Sequence, residues 1–194
     1  MASTPPDALA VLAFWFDPSH QKHWFAVDAG FDAAIRTHFA DLFRDAVEGK
    51  LESWTSTPEG WLALLIVLDQ FSRNLYRGDP RAWAQDLPAQ RLAMWGVAEN
   101  YDRRLPAMQR VFAYMPLQHA EDPTLQQHCV ALFAALHNDV PPSERHLFAG
   151  FLDYARKHQA VIARFGRFPH RNAWLGRTST PEEQTYLAQP GAGF

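Results

Sequence analysis

The chain has 194 residues, 47% of them hydrophobic and 13% aromatic. That composition can bury a core and excludes an intrinsically disordered chain. With 18 basic against 21 acidic residues and a pI near 6.3, it lacks the net positive charge that general nucleic-acid or membrane-surface binding calls for. Cys129 is the only cysteine, so no intrachain disulfide is possible. This fits a reducing compartment, and a helical apolar setting marks the thiol as structural.

The punctuation along the chain is helical. The N-terminal stretch lacks a basic segment and carries Asp7, which argues against a signal peptide. Asp7 opens a first helix that Asp17-Pro18 stops. Asp28 caps a second, whose apolar stripe runs Phe31, Ile35, Phe39, Leu42, Phe43 and Ala46 before Gly49. Thr57-Pro58-Glu59 places a capping hydroxyl, a proline and an acid at a third start. That helix is expected to run to Arg77, with Gly78 ending it. Its run Trp61 to Leu68 is the longest purely apolar stretch. It is far short of the roughly 20 residues a bilayer-spanning helix needs, so a soluble, cytoplasmic protein is expected.

Asp86-Leu87-Pro88 restarts a helix through about Glu99. Pro106 to Tyr114 is helical, with Met115-Pro116 expected to break it. Asp122-Pro123 opens a helix through about His137, and Ser143 caps a long one closed by Gly166. A short turn near Asn172 and a last helix from Pro181 finish the chain. No segment alternates in the manner of a strand. The expectation is one all-α domain over residues 1–194, an array of about eight or nine antiparallel helices.

Three motifs carry the chemistry. LDQFSRNLYRG, residues 68–78, puts Asp69 and Arg73 on one helix face four residues apart, with Asn74 beside Gln70. Behind so apolar a run this polar cluster is expected to be buried and ion-paired. YMPLQHAED, residues 114–122, gathers His119, Glu121 and Asp122. No metal-binding spacing is completed there, so no metal or other cofactor is expected. The third is the stretch from Tyr154 to Pro181. It holds six basic residues (Arg156, Lys157, Arg164, Arg167, Arg171 and Arg177) and no acid, leaving 12 basic against 21 acidic residues elsewhere. His170 and Asn172 lie within it. Clustered guanidinium groups suit carboxylate or phosphate recognition, and they can equally meet the protein's own surplus acids. The stretch is too short, on too acidic a chain, to indicate nucleic acid.

LDQFSRN, YMPLQHAED and GRFPHRNAWLGRTSTPEE, with FWF near the N-terminus and PGAGF at the end, together resemble the bacterial domain of unknown function 924 family. The resemblance covers nearly the whole chain. It implies an all-helical fold similar to tetratricopeptide repeats and brings no established activity. The family pattern has Pro where this chain has Ser72, and Ser where it has Ala120. The first departure should relax a helix kink. The second removes a hydroxyl from the candidate site. No Ser or Thr in the motifs has a histidine–acid partner, so a hydrolase triad is not supported and no enzyme class is assigned.

The leading expectation is a polar site for a small anionic ligand. It is built from Asp69, Arg73, Asn74, His119, Glu121, Arg164, Arg167, His170, Arg171, Asn172 and Arg177, with His119 and His170 as the acid–base candidates. The alternative is a helical scaffold that holds a peptide or protein partner in a groove.

Overall fold

Side-chain caps set where several helices begin. Asp28 accepts the Phe31 N–H at 2.9 Å, and α2 runs Ala29–Val47. Thr57 Oγ1 accepts the Gly60 N–H, with Pro58 at the first position of α3, Pro58–Leu65. Asp122 accepts the Leu125 N–H at 2.9 Å and α7 runs Pro123–Asp139. Each cap satisfies an N–H that the helix itself cannot. The remaining α-helices of the computed structural model, which describes residues 3–193, are α1 Pro6–Trp15, α4 Ser72–Leu75, α5 Asp86–Ala98, α6 Ala107–Gln118, α8 Arg145–Phe165 and α9 Pro181–Leu187. No strand occurs among the described residues, and the fold is all-α as expected. No helix among them is long and apolar enough to cross a membrane. Phe194, which closes the PGAGF run, lies outside the described residues.

Two boundaries depart from expectation. The helix expected to break at Met115-Pro116 runs through both to Gln118, with Pro116 inside it. Proline deletes one backbone bond. But Val111, Phe112, Ala113, Tyr114, Met115 and Leu117 around it are all buried, and burial of each large side chain returns about 1.5–3 kcal/mol. At α8, Ser143 does not cap. Glu144 holds the N-cap position without a side-chain bond, and the Ser143 carbonyl meets His146 Nδ1 at 3.0 Å instead.

The chain divides into two compact units. The first comprises residues 3–77 and 81–116. Its core is aromatic: Trp15 packs edge-on to Phe112 at 5.5 Å and against Phe31 and Phe71 at 5.8 Å. Trp61, fully buried, donates its indole N–H to the Leu92 carbonyl at 2.8 Å.

The second unit comprises residues 78–80 and 117–193. A short connection folds α7 and α8 into a hairpin. Cys129, Phe133 and Leu136 line the buried side of α7; Phe148, Leu152, Ala155, Val161 and Ile162 line that of α8. Val161 and Ile162 pack on Phe168, with Phe165 and Tyr186 at the margin. Burial pushes the Cys129 thiol well above its usual pKa, which makes it a poor nucleophile.

Candidate ligand site

In the first unit the LDQFSRNLYRG motif turns inward as a π-helical segment, Ile66–Phe71, whose six residues are all buried. Side chains attend to the Asp69 carbonyl. Arg73 Nη1 donates to it at 2.7 Å, and Ser72 Oγ shares its proton between it and the Ala82 carbonyl, at 3.0 and 3.1 Å. Single π turns are rare features inside α-helices, and here these side chains satisfy the Asp69 carbonyl. Arg73 also bridges two carboxylates, Asp69 at 3.1 Å and Asp86 at 3.0 Å. Asn74 donates to Asp32 at 2.7 Å, and Arg77 grips both oxygens of Asp32. Asp69 is 1% exposed. A charge so desolvated persists only with partners of this quality.

In the second unit the loop after α6 meets the segment after α8. Gln126, fully buried on α7, donates its amide to the carbonyls of Gln118 at 2.7 Å and Ala120 at 2.9 Å, which fixes the backbone on either side of His119. Glu121 accepts the Phe168 N–H at 2.7 Å and a bidentate pair from Arg177 at 2.6 and 2.9 Å. Burial pushes the Glu121 carboxyl up. The bonds from Arg177 and Phe168 and the charge of Arg171 outweigh that and hold it below its ordinary value. Arg177 also donates to Asn172 Oδ1 at 2.9 Å. Arg171, 5% exposed, lies over the Phe168 ring at 4.6 Å and donates to the His119 carbonyl at 3.1 Å.

Two imidazoles stand against Phe168, and a third stands beside one of them. His158 is 5.6 Å from the Phe168 ring, His170 is 5.7 Å from it, and His119 lies 6.4 Å from His158. Burial is the main cause that drives His158 down to about 3, with the Tyr154 carbonyl opposing and His119, Arg171 and His170 adding to the fall. Burial, then the Arg171 charge, takes His170 down to about 4. Both are neutral at physiological pH. They are too weak as bases for general-base work, which favours a pKa near the operating pH. They can still offer an N–H or a lone pair. A permanently charged guanidinium beside neutral imidazoles suits an anionic group.

The other arginines of the basic stretch serve the protein itself. Arg167 holds Glu183 bidentately at 2.7 and 2.9 Å and donates to the Thr178 carbonyl. That pairing leads the causes that lower Glu183 to about 2. Glu183 completes a capping box with Thr180 at the start of α9. Arg164 meets Glu182 at 2.8 Å on the exposed surface. Asn172 donates to Glu183 at 3.2 Å and Ser179 at 3.0 Å. Asp122, the other acid of the YMPLQHAED motif, is exposed and spends its carboxylate on the α7 cap.

Of the residues expected at the site, the second unit thus assembles His119, Glu121, His170, Arg171, Asn172 and Arg177. Asp69, Arg73 and Asn74 belong to the first unit and bond there to Asp86 and Asp32. Sequence reasoning left out His158, although the α8 stripe Phe148, Leu152, Ala155 and Ile162 places it on the buried face. It also left out Glu183, which Thr180-x-x-Glu183 announces as a capping box. Among the described residues no group of three or more His, Cys, Asp and Glu is arranged to hold a metal ion.

A family model described as bacterial protein of unknown function (DUF924) matches residues 11–191. Among solved structures, the protein of unknown function ATU0120 from Agrobacterium tumefaciens is similar at 35% identity and a TM-score of 0.83, over 93% of this chain and 96% of that one. No protein of curated function matches.

Proposed function

We propose, for a chain that belongs to the bacterial DUF924 family of unknown function, that its second unit binds a small molecule through an anionic group at His119, His170 and Arg171. The observation that carries this reading is the setting of Arg171. Its guanidinium is buried on the face of Phe168 beside imidazoles that burial keeps neutral. Glu121 accepts from Arg177 and the Phe168 N–H and also feels the charge of Arg171. Arg164, Arg167 and Arg177 act as the frame, because carboxylates of the same unit occupy them. The reading assigns binding and no reaction.

The test is thermal melting in phosphate, sulfate and small carboxylic acids at constant ionic strength, beside NMR of the histidine imidazoles. An anion at about 100 times its Kd adds roughly 2.7 kcal/mol to stability and shifts the His119 and His170 resonances. Arg171→Gln abolishes both effects. If no anion moves the imidazole resonances of the parent protein, the site is a structural polar core.

A further inference from the structure

The last described residues, Pro190 to Gly193, do not trail away from the second unit. Ala192 N–H bonds back to the Gln189 carbonyl at 3.1 Å. Gly193 then closes on His170 so tightly that a Cβ at position 193 would sit 3.3 Å from His170 Cβ, 3.6 Å from Cγ and 4.0 Å from Nδ1. His170 Nδ1 is itself buried. The backbone here uses conformations that only glycine adopts readily, φ +77° at Gly191 and +108° at Gly193. No helix holds this segment, since α9 ends at Leu187. Gly193 thus packs against the side chain of His170, whose imidazole the functional reading gives to the ligand.

Resting on that reading, we propose that residues 190–193 form a strap over His170 that must lift for an anion to reach the imidazole, so that strap opening regulates the site. Gly193 packs against the side chain of His170, whose Nδ1 is buried. The charged and titratable groups that act on it are Arg171, Glu121, His119 and Arg177. Of these only Glu121 favours the imidazolium, and burial outweighs it. A covered His170 is therefore held neutral, and an uncovered one regains the hydration that supports its charge.

The experiment is an NMR pH titration of His170 in the full chain, with its rate of modification by diethylpyrocarbonate as a second readout. Gly193→Val places a branched side chain against His170. Gly191→Ala strains the strap without reaching the ring, since a Cβ there meets nothing within 4 Å. Gly49→Val imposes the same class of backbone strain at φ +76° in the other unit and controls for general destabilisation. The expected result is that His170 titrates near 4 in the parent. In both strap variants it rises toward 6.5 and is modified severalfold faster, and the Gly49 variant leaves it unchanged. Phosphate then binds the strap variants more tightly than the parent. If both strap variants keep the parental His170 titration and modification rate, the strap is refuted and the anion site stands on its own test. If His170 is uncovered and phosphate moves no imidazole resonance in any variant, the anion site falls and the regulatory role falls with it.

Discussion

The two units handle buried charge differently. In the first, Arg73, Asn74 and Arg77 donate to Asp86, Asp32 and the carbonyls of Asp69 and Ala26, and cations and carboxylates interlock around one π-helical turn. In the second, the carboxylates Glu121 and Glu183 accept bidentate pairs from Arg177 and Arg167, and a guanidinium and neutral imidazoles stand against the Phe168 ring. The first arrangement is a lock that fixes the end of a helix. The second sets the Arg171 guanidinium and two neutral imidazoles against one aromatic ring, within reach of the charge of Glu121. The difference separates a motif whose cations and carboxylates interlock from one in which a guanidinium and imidazoles share an aromatic face, the arrangement on which the proposed anion site rests.

Removing a cation from the lock has the largest expected effect. Arg73→Ala strands Asp69 and Asp86 and lowers stability by roughly 3–5 kcal/mol, read by chemical denaturation. Arg73→Lys recovers only part of this, because one ammonium cannot reproduce a guanidinium's fork. A loss below about 1 kcal/mol for Arg73→Ala would make the pair equivalent to a surface pair and erase the contrast.

Acid is the next test and acts through the second unit. The folded-state pKa of His158 lies near 3, against 6.5 for an ordinary histidine. Below pH 6.5 the unfolded chain takes up the proton first, so stability falls as pH drops from 6.5 to about 3 and then levels. The size is on the order of 4 kcal/mol over that span. His170 acts in the same sense down to about 4. Glu183 holds stability present above 4.5 that is lost as pH falls through about 2. His158→Phe should flatten the melting profile between pH 6.5 and 4. An unchanged slope would place the acid sensitivity elsewhere.

A smaller effect is expected at the frame. Glu121→Gln keeps the shape and removes the charge that Arg177 grips, costing roughly 1–3 kcal/mol. Amide exchange should speed up over residues 168–177 before it does elsewhere in the unit. The smallest is Arg164→Ala, which breaks an exposed pair and should move stability by no more than about 0.5 kcal/mol.

Much of the fold was legible because caps and stops are local. Asp28, Thr57 and Asp122 each satisfy an N–H within three residues, and Gly166 ends α8 as read. Where reading failed, packing overrode a local rule. The proline in α6 breaks a helix in isolation, yet here it is carried by the burial of its neighbours. The π segment gave no sign in LDQFSRN, since it depends on Ala82 and on side chains folded back onto Asp69. Ser72, where the family pattern has Pro, supplies a hydroxyl to that segment.

At the site, the sequence by itself determined the inventory: arginines gathered into one stretch, histidines within it, and acids placed elsewhere. Charge composition and short-range spacing are properties of the chain, so they survive folding unchanged. Only the tertiary structure decided which arginine meets which acid. Arg177 finds Glu121 across 56 positions, Arg167 finds Glu183, and Arg171 rests on Phe168 beside a carbonyl. It also decided that His158 and His170 are neutral. Desolvation depends on what closes around a side chain in space, and no spacing along the sequence encodes that.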